Sequence, residues 1–245
     1  MKTLILALVL FMPGALLAAG GGDVHLDSAD IDLNDEAALQ RGAKYFVNYC
    51  LNCHSASYMR YQKMTALGLT EEQIEDNLMF AGDKVGGLMT IAMKPGDAEK
   101  WFGAAPPDLT LTARLRGEDW LYTYLRSFYA DPSRPFGVNN VVFPSVGMPH
   151  VLWELQGVQH AVWEETTGPD GEPHKAIKGL ELVEQGTMSA EEYDQAVRDM
   201  VTYLSWLGEP MQQERKRLGI WVLLFLAVFT VIAYFLKKEY WKDVH

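Results

Sequence analysis

The two cysteines of this 245-residue chain stand three positions apart, in "VNYCLNCHSA", and a histidine follows the second at once. Three chemistries use such a cluster of Cys50, Cys53 and His54. A thiol-redox pair needs C-x-x-C but has no need of the histidine. A structural zinc site needs four ligands, usually from a second Cys/His pair. Here His25, His150, His160, His174 and His245 are scattered and never fall at that spacing. Covalent haem attachment uses all three residues. Two thiols add to the porphyrin vinyl groups, and the adjacent histidine turns under the ring to bind iron. The pattern predicts one haem c, held by thioether bonds to Cys50 and Cys53, with His54 as an axial ligand.

The flanks of the chain set the compartment. Residues 1–20, "MKTLILALVLFMPGALLAAG", read as a secretory signal: Lys2, an apolar run over Leu4–Met12, and small residues at Ala18, Ala19 and Gly20. Cleavage after Ala19 or Gly20 both fit. The chain beyond is then exported, with no further cysteines for disulfides. At the other end, Leu218–Leu236 is uncharged for 19 residues. That is about 28 Å of helix, enough to cross a hydrocarbon core. Lys/Arg bias does not orient it, since Arg215, Lys216 and Arg217 precede it and Lys237, Lys238 and Lys242 follow. The exported haem domain does: residues 21–209 lie outside, 210–236 form an exit segment and anchor, and 237–245 are a cytoplasmic tail. Trp221, Tyr234, Tyr240 and Trp241 fall near the two membrane interfaces.

Helices must position the cluster. Asn34 is expected to cap "DEAALQRGAKYFVNYC", with Ala38, Gly42, Tyr45, Phe46 and Tyr49 on one face leading into Cys50. Thr70 with Gln73 forms a capping box before "EEQIEDNLMF", and Ser189 with Glu192 another before "AEEYDQAVRDMVTYLSWLG". After Gly117, "EDWLYTYLRSFY" puts Leu121, Tyr124, Leu125 and Phe128 on one stripe, ended by Asp131-Pro132. Residues 81–119 and 131–150 read as irregular loops, and 158–184 as a hairpin around "GPDGEP". The fold class is mainly α: a c-type haem domain with long loop insertions and one C-terminal transmembrane helix.

Iron then needs a sixth ligand. Histidine with methionine gives a low-spin electron carrier of raised potential. Of eleven methionines, Met1 and Met12 are initiator and signal residues, Met59 and Met64 follow the cluster too closely, and Met200 and Met211 lie near the anchor. Met79, Met89, Met93, Met148 and Met188 remain. Met93 in "AMKPG" and Met148 in "VGMPH" both occupy Gly/Pro loops. His150 and His160 are the alternatives for a bis-histidine site.

Three segments resemble the cytochrome c1 family, the haem subunit of ubiquinol–cytochrome c reductase. They are "RGAKYFVNYCLNCHSASYMRY", "GAAPPDLTLTARLRGEDW", and "GTMSAEEYDQAVRDMVTYLSWLGEP" with "ERKRLGIWVLL". The likeness is looser over residues 62–105 and 139–186. The resemblance implies Met148 as the sixth ligand and Arg114 near a haem propionate. It implies an electron-transfer subunit of the respiratory chain, not an enzyme on its own, in the bacterial inner membrane with the haem domain on the periplasmic side. It further implies cytochrome b and the Rieske iron–sulfur protein as partners and a soluble or tethered cytochrome c as acceptor. A subunit of a terminal oxidase and a haem-based sensor or assembly factor are the alternatives.

Charge bears on the acceptor. The chain carries −11, and residues 1–20 contain Lys2 and no acid, so without them it carries −12. A negative exported domain steers a basic carrier and excludes nucleic acid as a partner.

Overall fold

A computed structural model describes residues 24–167 and 173–243. The expected signal segment lies outside them. The helix that carries the cysteines, α1, spans Glu36–Tyr45 and continues through a wider π turn, Phe46–Cys50. Its cap is Asp35, not Asn34: the Asp35 carboxylate accepts from Ala38 N at 3.0 Å. Asn34 is engaged elsewhere, its amide donating to Asp32 Oδ1 at 2.9 Å. Both capping boxes form as expected. Thr70 opens α2, Glu71–Leu78, and Ser189 opens α7, Ala190–Gly208.

The core is built where α1 crosses α7. Tyr193, Val197, Met200, Val201 and Leu204 of α7 are buried, with Ala38, Leu39, Ala43 and Phe46 of α1 and its π turn. Gly42 stands at the crossing. A Cβ there would lie 2.1 Å from the Asp199 carbonyl oxygen and 2.7 Å from Tyr203 Cβ. Only a missing side chain lets the two backbones touch. One residue away, Arg41 grips the buried Asp199 carboxylate with two hydrogen bonds, 2.6 and 3.0 Å. Bidentate geometry is what a carboxylate withdrawn from water requires.

The two stretches expected to be irregular contain more structure. β1, Ala56–Arg60, pairs antiparallel with β2, Leu88–Met89. Pro95 starts α3, Pro95–Phe102, and Gly103, at φ +80°, stops it. Thr112–Arg116 forms α4. Short elements of this size carry too few periodic residues to be seen against Gly/Pro-rich flanks. The helix after Gly117, α5, is Glu118–Arg126 and ends two residues short of Phe128, the last residue of the stripe. Phe128–Ala130 instead becomes β3, antiparallel to β4, Val138–Asn140. Strand pairing with a distant segment overrides the local helical period.

The hairpin is present and longer than expected. After the short α6, Trp153–Gln156, β5, Gly157–Thr167, pairs with β6, Pro173–Gln185, with irregularities at Val158/Gln159 and Val162/Trp163. Its turn, residues 168–172, lies outside the described residues. Finally α8, Gln212–Tyr240, runs 29 residues with none buried. It is long and apolar enough to cross a membrane.

Candidate functional site

The π turn at the end of α1 is followed by a tight reversal. Leu51 N donates to Phe46 O at 2.9 Å, and Cys53 N and His54 N both donate to Cys50 O, at 3.1 and 2.9 Å. The chain therefore folds back on itself over four residues, and Cys50, Cys53 and His54 all face one cavity of about 330 Å³. That is within the size range of cofactor pockets, about 300–1,000 Å³. Burial pushes the Cys50 thiol up to about 12. That is the opposite of the depressed thiol that marks a redox-active C-x-x-C. Among the described residues no third or fourth group gathers with the pair to complete a zinc site.

His54 is oriented by a backbone carbonyl. Its Nδ1 lies 2.7 Å from the carbonyl oxygen of Pro107. A carbonyl can only accept, so Nδ1 carries the proton and Nε2 presents a lone pair. Burial lowers the imidazole pKa, which keeps the ring neutral. The Pro107 segment is itself pinned. Asp108 accepts from Ser57 N at 2.7 Å and Thr110 N at 2.9 Å, and Leu109 N donates to Ser55 O at 2.9 Å. Burial raises the Asp108 carboxyl, but the hydrogen bonds from Thr110 and Ser57 outweigh it and hold its pKa low. Pro107 and Asp108 are thus part of the site, though their motif shows only in the resemblance.

Met148 lines the same cavity from a different part of the chain, the loop after β4. Its sulfur accepts a hydrogen bond from the Tyr124 hydroxyl at 3.4 Å. The loop is shaped by two asparagines. Buried Asn140 donates to Tyr124 O at 2.8 Å and accepts from Val142 N and Phe143 N at 2.9 and 3.1 Å. Asn139 Oδ1 accepts from Ser145 N at 2.8 Å. Next to Met148, His150 stacks on Phe128 with centroids 4.8 Å apart and planes 4° apart. Burial lowers His150 to about 4, so it too stays neutral.

The other candidates fall elsewhere. Met93, His150 and His160 do not line the cavity. Met89 is fully buried in the core, near the Tyr203 hydroxyl. Met200 does line it, from α7, the helix packed against α1. Arg114 sits on α4 with its Nη1 3.4 Å from Glu209 Oε2, away from the cavity. Its neighbour two residues on, Arg116, is the arginine in the cavity wall, its guanidinium 4.9 Å from the Trp120 ring centroid. The remaining wall is apolar, with Phe46, Pro106, Leu109, Leu121, Leu125 and Val146 among its residues.

A porphyrin fits this donor set. It asks for two thiols and an imidazole nitrogen on one wall, a soft donor on another, an apolar rim, and a cation for its acidic edge. Comparison with known proteins agrees. The model of the Cytochrome C1 family matches residues 29–84 and 173–244. Cytochrome c1 of Allochromatium vinosum is 58% identical over 247 residues, covering 100% of each chain. A Nitrosomonas europaea protein named ammonia monooxygenase gamma subunit is 48% identical over 100% of this chain and 98% of its own. Cytochrome c1 of Rhodospirillum rubrum is 31% identical over 99% of both. A family match in two stretches that take in the cysteine helix and the apolar helix, with relatives alike from end to end, leaves one conclusion: the chain belongs to the cytochrome c1 family.

Proposed function

We propose that this chain holds one haem c through Cys50 and Cys53, with His54 and Met148 as axial ligands, and relays single electrons within a quinol–cytochrome c reductase. The observation that carries the reading is one cavity receiving both the C-x-x-C-H turn and Met148, with His54 Nε2 freed by the bond from Nδ1 to Pro107. When bound, haem would supply the Fe(III)/Fe(II) couple, a one-electron step with no proton or nucleophile to manage. The protein's part is to hold the ligands, keep water from the iron and set the potential. Met148 rather than Met200 would supply the second ligand to iron, because Met200 belongs to α7, the helix packed against the one that carries the cysteines.

For the acidic edge of the ring, the resemblance points to Arg114, whereas the cavity wall favours Arg116. Arg114 ties α4 to Glu209, and Glu209 also binds Arg215 at the start of α8. Arg114 then acts at the junction of domain and anchor.

By family, cytochrome b is the partner in the membrane, the Rieske iron–sulfur protein the donor, and a cytochrome c the acceptor. The chain is an electron-transfer subunit, not an enzyme alone. Residues 1–20 direct export, α8 is the single anchor, the haem domain faces the periplasm, and 237–245 remain in the cytoplasm. Purification from the native membrane tests this, with a pyridine haemochrome spectrum and identification of co-purifying subunits. Cytochrome b and a Rieske protein should accompany a haem with two thioether links. Co-purification with terminal oxidase subunits instead would overturn the assignment.

A further inference from the structure

Tyr124 is unusual among the cavity residues. Its sequence position marks it as one member of an apolar stripe on α5, yet its hydroxyl points at the Met148 sulfur, 3.4 Å away. The ring is held by two aromatic neighbours. Trp120, one turn earlier on α5, stacks on it at 4.9 Å with planes 10° apart, and Phe128, the first residue of β3, meets it edge-on at 5.2 Å. Phe128 in turn stacks on His150, two residues past Met148. The backbone of Tyr124 is also engaged, its carbonyl accepting from Asn140 in the same loop. Side chain and main chain of one residue therefore both hold the segment that carries the sulfur.

A thioether sulfur has two lone pairs and is a weak hydrogen-bond acceptor. If one lone pair faces the iron, the other is open to a donor. A hydrogen bond to it withdraws electron density from the ligand. That favours Fe(II) over Fe(III), the direction in which outer hydrogen bonds to an axial ligand tune a haem. We propose that Tyr124 is a positioning residue for the axial sulfur, fixing its orientation and raising the reduction potential by donating to Met148. The proposal rests on Met148 as the sixth ligand and deepens that reading. The residues concerned lie on α5 and in the loop after β4, within residues 85–172, which the family model does not match.

The test uses the full-length haem-loaded protein in three forms beside wild type. In Tyr124→Phe the near-infrared sulfur–iron charge-transfer band should persist and the midpoint potential should fall. The shift corresponds to roughly a two- to tenfold loss of Fe(II) over Fe(III) at fixed poise, the range of one ordinary hydrogen bond. With 3-fluorotyrosine at position 124, a more acidic phenol and a stronger donor, the potential should rise instead. Opposite signs from two near-isosteric changes are not what a purely structural role produces. Should Tyr124→Phe fail to mature, the fluorotyrosine form decides by itself. A retained band with an unmoved potential in the matured forms overturns the proposal. Met148→Leu separates the underlying reading. If it keeps the band, Met148 is not the ligand and both statements fall. If it loses the band while Tyr124 changes leave the potential unmoved, only the present proposal falls.

Discussion

The two walls of the cavity are made in opposite ways. Cys50, Cys53 and His54 come from five consecutive positions, and their reversal is closed by local hydrogen bonds to Cys50 O. Met148 comes from a loop with no regular structure around it; two asparagines shape that loop locally, but what docks it against the rest of the fold is distant in sequence. Asn140 bonds to Tyr124, and His150 stacks on Phe128. A local turn survives as a pattern of residue types. A wall assembled from an α5 stripe, a short strand and two asparagines does not, because no spacing rule connects them.

That contrast can be broken experimentally, and the largest effect is expected at the local wall. Changing Cys50 and Cys53 together to Ser should abolish covalent haem, read as complete loss of haem stain after denaturing electrophoresis. Extraction of haem from denatured wild type by acid acetone would contradict the attachment itself. At the distant wall, Met148→Leu should keep the covalent haem. It should also lose the near-infrared band, lower the potential and let carbon monoxide bind the reduced form. Axial ligation spans about 0.8 V across haem proteins, so even part of that range would halt reduction by the donor. Met93→Leu should do none of this, and spectra and redox titration of the two variants side by side give the answer.

Smaller effects sharpen the comparison further. Asn140→Ala strips a buried hub of its bonds to Tyr124, Val142 and Phe143. Leaving such groups unpaired costs about 1–3 kcal/mol. Thermal loss of the sulfur–iron band should come earlier than global unfolding measured by circular dichroism. Gly42→Ala, under the attachment wall, should cost about 1–3 kcal/mol through overpacking, since its Cβ would press on the α7 backbone. Here band and global unfolding should shift together, because the crossing belongs to the core. If Asn140→Ala also moves both together, the loop is not a separately held unit. The smallest expected effect is electrostatic. With a charge of −12 once residues 1–20 are removed from −11, electron delivery to a basic acceptor should slow as salt rises. Screening shortens the reach of that field to about 8 Å at physiological ionic strength. A stopped-flow rate flat or rising with salt would remove steering.

Much of the scaffold was legible because its signals are local. The two capping boxes at Thr70 and Ser189, the buried stripe of α7 and the uncharged run within α8 each follow from residue types at fixed spacing. The misreadings are as instructive. Asn34 and Asp35 are both good caps; the Asp35 carboxylate takes the role by accepting from Ala38 N, while the Asn34 amide donates to Asp32. The stripe through Phe128 keeps its helical period, but Phe128 pairs with Asn140 as a strand. Arg114 and Arg116 are two residues apart on a one-turn helix, and no pattern says which one turns toward the cavity.

By itself, then, the sequence determined the attachment turn, the long helix behind it and the apolar helix at the end, since each depends on contacts within a few turns of chain. Tertiary structure alone brought Met148 and Met200, and not Met93, to the cavity of His54, and set the histidine tautomer through Pro107. It also decided that Tyr124 reaches the sulfur. Those are contacts between segments tens of residues apart, and they arise only when burial of the aromatic stripe brings α5, the Pro107 segment and the Met148 loop around one apolar space.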